Sequence, residues 1–252
     1  MKKCTFLLVL SLLITSFCSC SQNQSEIITQ SPKVAYVAGT PAEKAFNQIN
    51  SGSKYSGIKY NLIDDAVVAL ENGKVDHVII NDYDLSLFEN AGRKLNVQHT
   101  CDYYIDYCMY FTKENEALRE KFDYAVIELK NNGVLDEIKS EYIKNGFYEN
   151  SVSNGESGTI IMLCAPRFEN RIYFDENSNL SGIDYYMLKE ICAYLDYELK
   201  LVVADYNELF IKLDKGEGDF VAGAIEYTPE RDDAYLSGEP YYTKSYYLVT
   251  AE

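Results

Sequence analysis

One local pattern occurs twice in this chain, and it constrains the fold more than any other feature. The two stretches are ALENGKVDHVII at 69–80 and KLDKGEGDFVAG at 212–223. Each predicts the end of a helix, a glycine-containing turn, an aspartate and an apolar strand, which together are typical of an α/β unit. Two such units more than a hundred residues apart predict two similar α/β lobes rather than one continuous sheet.

The segments around these units also alternate between strand and helix patterns. KVAYVAG predicts a strand, and a helix follows with Thr40 as its N-cap and Pro41 at its first position. CDYYIDYCMYFTKEN predicts a further strand, and two helices are expected at about 114–131 and 134–144. Ser, Asn, Gly and Glu dominate ENSVSNGESG at 149–158, which predicts a linker. The chain closes on an expected strand, SYYLVTAE.

The first residues have the pattern of an export signal. MKK precedes the apolar run TFLLVLSLLITSF and then CSC, which resembles a bacterial lipoprotein signal. We expect 1–19 to be removed, Cys20 to carry the lipid (with Cys18 as the alternative) and 20–32 to form a polar tether. An ordinary cleaved signal peptide is the other interpretation. The mature protein is therefore expected outside the cytoplasm, lipid-anchored to a membrane, in the periplasm or at the cell surface.

Composition and missing motifs exclude several functional classes. Lys and Arg number 23 against 39 Asp and Glu, and a net charge of −16 argues against a nucleic-acid partner. Four cysteines follow the signal without a CxxC motif, so neither a zinc site nor a redox motif is expected, and disulfide pairing stays open. There is no GxSxG, HExxH or P-loop motif. We therefore expect that the protein binds no metal and no cofactor and that it is not an enzyme.

Two sets of motifs occupy the two halves of the chain. Residues 158–252 contain DENSNLSGID, KGEGDF and YTPERDDAYLSGEPYY, and residues 33–147 contain VAYVAGTPAE, ENGKVDHVIIND and ELKNNGVLDEIKSEYIKNG. The first set resembles the first half, and the second set the second half, of the family 3 extracellular solute-binding proteins, which serve amino-acid ABC importers. The resemblance implies an α/β, bilobed periplasmic-binding-protein fold, in which crossover strands join two lobes. The reversed order of the halves implies a circular permutation.

The resemblance also implies lobe boundaries. Residues 33–102 would form the ligand-closing lobe 2, and 103–252 would form lobe 1. Within lobe 1, a crossover strand and helices occupy 103–148, the linker 149–158 follows, and 159–252 is the part expected at the start of the family fold.

If one permuted chain forms both lobes and closes them over a ligand as a single clamp, the terminal strand near Tyr247 must lie beside Tyr104–Tyr110. The alternative is that the chain is a slice of a tandem array, which would dimerise by swapping halves.

The resemblance places a ligand carboxylate on Arg231, which stands among five acidic residues in EYTPERDDAYLSGEPYY. A guanidinium presents a planar fork of donors that matches a carboxylate better than lysine does. A solvated salt bridge is the other interpretation of Arg231. On the opposite lobe, Gly39 and Thr40 at a helix N-terminus suit an anion, although Thr40 also fits a plain N-cap.

The remaining ligand-binding residues that the resemblance implies depart from the amino-acid-binding pattern. They are Asn81, Asp82, Ala224, Glu226, Thr228, Phe168, Ile172 and Tyr173. Asn81 replaces the aspartate that takes the ligand's ammonium group, and Asp82 adjoins it. Glu226 either binds the ligand's ammonium group in place of that aspartate or repels an anionic ligand. Ile172 stands where the family has a phenylalanine wall, with Phe168 and Tyr173 nearby.

The expected function is to capture a small zwitterionic or anionic solute, such as an amino acid, for an ABC permease. One alternative is a ligand-sensing receptor, or a degenerate binding module for a signalling partner. A dehydratase-like enzyme on the same fold, with Glu226 as acid or base, is a further alternative.

Overall fold

A computed structural model describes residues 31–168 and 170–252. The expected signal at 1–19 and the expected lipidation site Cys20 lie outside these residues. Within the described residues, none of the helices is both long and apolar enough to cross a bilayer.

The described chain alternates strands with helices. The strands are β1 Lys33–Val37, β2 Ser56–Tyr60, β3 His77–Asn81, β4 Leu95–Tyr107, β5 Tyr110–Phe111, β6 Thr159–Cys164, β7 Tyr173–Phe174, β8 Leu180–Ser181, β9 Glu198–Val203, β10 Phe220–Val221, β11 Leu236–Ser237 and β12 Tyr242–Ala251. The α-helices are α1 Pro41–Ile49, α2 Ile63–Glu71, α3 Asp82–Asn90, α4 Glu116–Asn131, α5 Val134–Asn145, α6 Ile183–Tyr194, α7 Leu209–Asp214 and α8 Pro229–Ala234.

Two five-stranded sheets form the two lobes, and they share one arrangement. The first lobe contains the sheet of β1 and corresponds to the expected lobe 2, and the second lobe contains the sheet of β6 and corresponds to the expected lobe 1. The first has the order β2-β1-β3-β12-β4, and the second, read from its β9 edge, has the order β9-β6-β10-β5-β11. In each sheet the first three strands run parallel, and the fourth is antiparallel to its neighbours. This confirms the prediction of two similar α/β lobes.

The fourth strand of each sheet comes from a chain segment that has just left the other lobe. The chain passes from β4 into β5 and, later, from β11 into β12, and Tyr242 at the start of β12 pairs with Tyr107 at the end of β4. Both crossings leave a sheet at the carboxyl ends of its parallel strands, since β12 is antiparallel to β3 and β5 is antiparallel to β10. The carboxyl ends of both sheets therefore meet at the junction between the lobes.

The terminal strand β12 pairs with β3 and β4 in the first sheet. Tyr242–Ser245 pair with Tyr107–Tyr104 in reverse order, and Tyr247 pairs with Thr100. The expected lobe boundaries differ in two respects, because β12 and the end of β4 (103–107) fall in the range assigned to lobe 1 but join the sheet of β1 and β3. The reason is physical: Tyr246, Leu248 and Val249 on β12 are buried against the cores of that first sheet.

Local signals set several helix starts. The Thr40 side chain accepts a hydrogen bond from the Ala42 N–H, and Pro41 opens α1, as predicted. Thr228 caps α8 in the same way, accepting from the Arg231 N–H at 3.3 Å. Gly182 precedes α6 with φ +118°, and a Cβ there would lie 2.3 Å from the Arg171 carbonyl oxygen. Only glycine fits such a position without displacing the backbone.

The segment 149–158, predicted as a linker, has no regular structure but is attached to α6 and the turn after it. Glu190 accepts hydrogen bonds from the backbone of Ser151 and the side chain of Asn150, and Asp196 accepts them from the backbone of Asn154 and Gly155. These bonds hold a polar, glycine-containing segment in place, which its composition did not indicate.

Four cysteines lie in the described part of the chain, and all are buried and free: Cys101, Cys108, Cys164 and Cys192. Burial raises the pKa of Cys101 to about 11 and that of Cys164 to about 12. The thiols therefore stay protonated and act as small apolar side chains in the packed interior.

Candidate functional site

A cavity of about 740 Å³ opens at the carboxyl ends of β6 and β9 in the second sheet. Two loops line it: Ala165, Pro166 and Arg167 follow β6, and a segment from Val203 to Glu208 follows β9. The Arg167 guanidinium stacks over the Tyr206 ring at 4.3 Å and over the Phe168 ring at 4.8 Å. In open α/β sheets, ligands bind at this end of the strands.

A cavity of about 330 Å³ occupies the equivalent position in the first sheet. Its lining residues come from the connections between β1 and α1, between β2 and α2, and between β3 and α3. Lys244 and Tyr246 of β12 complete the lining. Both cavities lie at carboxyl strand ends, and these ends face the junction. The arrangement suits a solute held between the two lobes.

Arg231 lies in the second lobe, near the larger of these cavities. Its Nη1 donates to the Glu226 carbonyl oxygen at 2.6 Å, and its Nη2 donates to the Tyr206 hydroxyl at 2.9 Å. Tyr206 lines that cavity, so the guanidinium is held beside it. The surface salt bridge considered from sequence does not form among the described residues, since Arg231 contacts a carbonyl and a hydroxyl.

Glu226 and Ala224 precede α8 on a segment that runs along the first crossing strand. The Tyr227 N–H donates to the backbone carbonyl oxygen of Asp106 at 2.8 Å, and Glu226 forms an isolated antiparallel β-bridge with Tyr107. Ala224 adopts φ +57°, which an L-residue other than glycine rarely takes. The Glu226 side chain is exposed, whereas Ala224 is buried.

At the start of α1, the expected anion donor is already occupied by the chain itself. The Gly39 N–H donates to Glu43 Oε2 at 2.8 Å, and Glu43 Oε1 pairs with Lys59 at 2.8 Å. Lys59 first, and then the Gly39 N–H, lower the pKa of Glu43. The Thr40 hydroxyl also donates to the Val37 carbonyl at 2.8 Å. A ligand anion at Gly39 would have to displace Glu43.

Asn81 and Asp82 occupy different environments although they are adjacent. Asn81 caps α3, accepting from the Asp84 N–H at 3.0 Å, and it lines the smaller cavity. Asp82 is buried, and its Oδ2 accepts from Lys139 of α5 and from the Tyr242 hydroxyl. Asp82 therefore ties the first lobe to a helix of the second lobe and to a crossing strand.

The three residues expected to form an apolar wall do not share one surface, although the backbones of Phe168 and Ile172 form a β-bridge. Ile172 is fully buried in the core of the second lobe, where it fills the space above Gly223. Phe168 lies beside Arg167 and Tyr206 at the larger cavity, and the Tyr173 hydroxyl contacts the Tyr142 hydroxyl at 3.2 Å. Phe168 contacts Arg167 and Tyr206, which both line the larger cavity.

A buried ion pair, which the sequence did not predict, lies at the junction. Arg171 Nη2 is 2.6 Å from Asp184 Oδ1, with side chains 10% and 0% exposed. The Arg171 guanidinium stacks between the rings of Tyr107 and Tyr242, 4.0 Å from each centroid. These rings belong to the two crossing strands, so one cation joins both. PRFENRIY carries three charged residues, and nothing in its pattern indicates that Arg171 is the buried one.

Asp184 also connects the ion pair to the segment that precedes Arg231. Its Oδ2 accepts hydrogen bonds from the Ala224 N–H and from the Tyr241 hydroxyl. Burial raises the pKa of Asp184, and Arg171 opposes that rise. Burial lowers the pKa of Arg171, but Asp184 and neighbouring tyrosines more than reverse this effect. We take the pair as ionised, because a guanidinium does not deprotonate in proteins and Asp184 accepts two further hydrogen bonds.

Comparison with known proteins supports the assignment of the second lobe. Residues 160–252 match the model of the bacterial extracellular solute-binding proteins, family 3. Membrane-bound lytic murein transglycosylase F from Shewanella pealeana is 36% identical over 80 residues, covering 31% of this chain and 17% of that protein. The protein of the same name from Klebsiella pneumoniae subsp. pneumoniae is 36% identical over 74 residues, covering 29% and 14%.

These relatives are named as enzymes, but the similarity spans less than a fifth of their length. A phosphate-binding protein of a phosphate ABC transporter from Streptococcus pneumoniae has a TM-score of 0.43 and 11% identity, covering 88% of both chains. So low a score adds nothing to the assignment. The segment 160–252, which carries Arg231, is thus similar to the bacterial extracellular solute-binding proteins, family 3.

Proposed function

We propose that the protein is a lipid-anchored, extracytoplasmic solute-binding protein. It captures a small zwitterionic or anionic solute, such as an amino acid, between its lobes and delivers it to an ABC permease. The observation that carries this proposal is the family match of 160–252, the segment that contains Arg231. The two cavities at facing strand ends are consistent with a ligand that contacts both lobes.

In this proposal Arg231 binds an anionic or polar group of the solute, such as a carboxylate. Two contacts, to the Glu226 carbonyl and the Tyr206 hydroxyl, hold the guanidinium beside the larger cavity. A guanidinium has five N–H donors, so donors remain for a ligand oxygen. Fixing the side chain in advance lowers the entropy cost of binding.

We also propose that one chain forms one clamp by circular permutation of the family order. Val249, near the end of β12, pairs with Val78 of β3, and His77 of β3 pairs with Val34 of β1. The end of β12 and the start of β1 thus lie on either side of the start of β3, at the same end of the first sheet, where an ancestral connection would have been cut. Sedimentation of the purified protein should give a monomer, whereas a dimer that exchanges halves would support the tandem-array alternative.

A ligand screen tests the binding function. Purified protein is examined by thermal shift, and then by calorimetry, against the twenty standard amino acids and small carboxylic acids. We expect saturable binding of at least one of them without turnover. Absence of binding by every compound would refute the proposed class of ligand, and chemical conversion of a bound compound would favour the enzyme alternative.

A further inference from the structure

The smaller cavity, in the first lobe, contains two opposite charges that form no direct ion pair with each other. Lys244 and Asp84 both line it, together with Asn81, Thr40 and Tyr246. Within the described part of the chain, no ion pair joins Lys244 to any carboxylate. Each charge therefore remains able to contact a group that enters the cavity.

Lys244 reaches the cavity because of its position on β12. It lies two residues before Tyr246, and alternate residues of a strand face the same side of a sheet. Tyr246 belongs to the same buried cluster as Ala42, Ala45 and Phe46 of α1, so this is the face covered by α1. The Lys244 ammonium makes no hydrogen bond among the described residues, and its nearest ring, that of Tyr107, is 5.9 Å away.

Several groups determine the charge state of Lys244. Burial first, and then the Arg171 guanidinium, lower its pKa, while the carboxylates of Asp82, Asp84 and Asp184 raise it. The net direction is downward. A ligand anion in the cavity would oppose this change, because it favours the charged ammonium.

Asp84 is fixed at the first turn of α3 with one oxygen available. Its N–H donates to Asn81 Oδ1 at 3.0 Å, and its Oδ2 accepts from Asn81 Nδ2 at 2.5 Å. No partner of Asp84 Oδ1 is found among the described residues. Burial raises the pKa of Asp84, whereas the Asn81 hydrogen bond and Lys244 lower it. A ligand cation would further favour the ionised carboxylate.

We infer that Lys244 and Asp84 form a zwitterion-binding subsite in the first lobe, with Lys244 contacting the carboxylate and Asp84 the ammonium group of an α-amino acid. This subsite rests on the proposed function. It assigns the amino acid head group to residues other than Arg231, which is then left for a second polar group of the ligand. Asp84 supplies the negative charge that Asn81 lacks.

Three related ligands test this pairing one charge at a time. The probes are the tightest-binding standard L-amino acid, the same molecule without its α-ammonium group, and the same molecule without its α-carboxylate. Calorimetry on the wild type should give the amino acid an affinity at least about tenfold above either analogue, because each lost contact is a charge-assisted hydrogen bond. Equal affinity of either analogue would overturn the inference without any variant.

Variants then assign each charge to its residue. Lys244→Gln should weaken binding of the amino acid and of the deaminated acid by about tenfold or more, and binding of the amine should be unchanged. Asp84→Asn should weaken binding of the amino acid and of the amine by a similar factor, and binding of the deaminated acid should be unchanged. Lys244→Arg keeps the charge and should retain most of the affinity. Lys212→Gln, on α7 and outside both cavities, is the matched control and should bind like the wild type.

The outcomes separate the two proposals. If the wild type binds no small solute, the proposed function fails, and the subsite fails with it. If the wild type binds an amino acid but Lys244→Gln and Asp84→Asn bind all three probes normally, only the subsite is refuted. The wild-type comparison of the three probes still decides the matter if either variant fails to fold.

Discussion

The Arg171–Asp184 pair gives the most quantitative prediction, because both charges are almost completely removed from water. Asp184→Asn would leave the Arg171 guanidinium buried between two tyrosine rings without a counter-charge. Arg171→Met would leave the Asp184 carboxylate with hydrogen bonds from Ala224 and Tyr241 but no cation. Breaking a buried pair by removing one partner costs about 3–5 kcal/mol.

That loss is a large part of the free energy of unfolding of a typical domain, about 5–15 kcal/mol. For a body of this size, it corresponds to a fall in melting temperature of about 6–20 °C. The double variant replaces the pair with neutral groups of similar volume, so it should lose far less than the sum of the two single losses. The exposed pair Lys212–Glu217 is the control, and Glu217→Gln should cost less than about 1 kcal/mol.

The two single variants should also differ in their pH dependence. In Arg171→Met, the folded-state pKa of Asp184 rises further above its unfolded value, so the folded state binds more protons between these two pKa values. Lowering the pH through this window should restore stability to Arg171→Met. Asp184→Asn has no carboxyl at this position and should show no such recovery.

Urea unfolding followed by circular dichroism and tyrosine fluorescence measures these free energies, and coincidence of the two signals checks two-state behaviour. The reasoning is refuted if each single variant loses less than about 1 kcal/mol, or if the double loss equals the sum of the single losses. Either result would mean that the two charges do not stabilise each other in the folded protein.

Three further predictions concern reactivity and binding. The four buried thiols should resist a disulfide reagent at pH 8 in the folded protein and react once urea unfolds it; rapid labelling of all four without urea would contradict their burial. Arg231→Ala should weaken the tightest-binding amino acid by about tenfold or more in calorimetry, with Arg231→Lys intermediate, and unchanged affinity would exclude a ligand contact. Because the pKa of Lys244 is lowered, affinity for a carboxylate ligand should fall as pH rises through that lowered pKa, earlier than an ordinary lysine allows; an affinity that is flat up to the usual range of lysine would show that the ammonium does not contribute.

Much of the fold was predictable because the signals were local. The repeated unit of helix end, glycine turn, aspartate and strand indicated two lobes, and the structure has two sheets of equivalent order. Thr40 with Pro41 predicted the start of α1, and the structure places it there. The helices expected at 114–131 and 134–144 differ from α4 and α5 by two residues or fewer at each end.

The candidate site was less predictable, because side-chain partners come from distant parts of the chain. Glu43 on the Gly39 N–H was within reach of sequence reasoning, since a glutamate in the first turn often bonds back to the residues before a helix. Ile172 was expected at a ligand surface, yet it packs into the core because its neighbour Arg171 takes the position between the two tyrosine rings. No local pattern indicates which of two adjacent side chains faces the junction.

The sequence by itself determined the α/β class, the number of lobes and the cap that starts α1, because hydrophobic periodicity and capping depend on residues close together in the chain. Only the tertiary structure decided that β12 completes the first sheet, that Arg171 and Asp184 are buried at the crossing strands, and that Lys244 shares a cavity with Asp84. These features depend on strand pairing and packing between residues far apart in sequence. Their energies come from burial and charge in the assembled fold, which the separate segments do not possess.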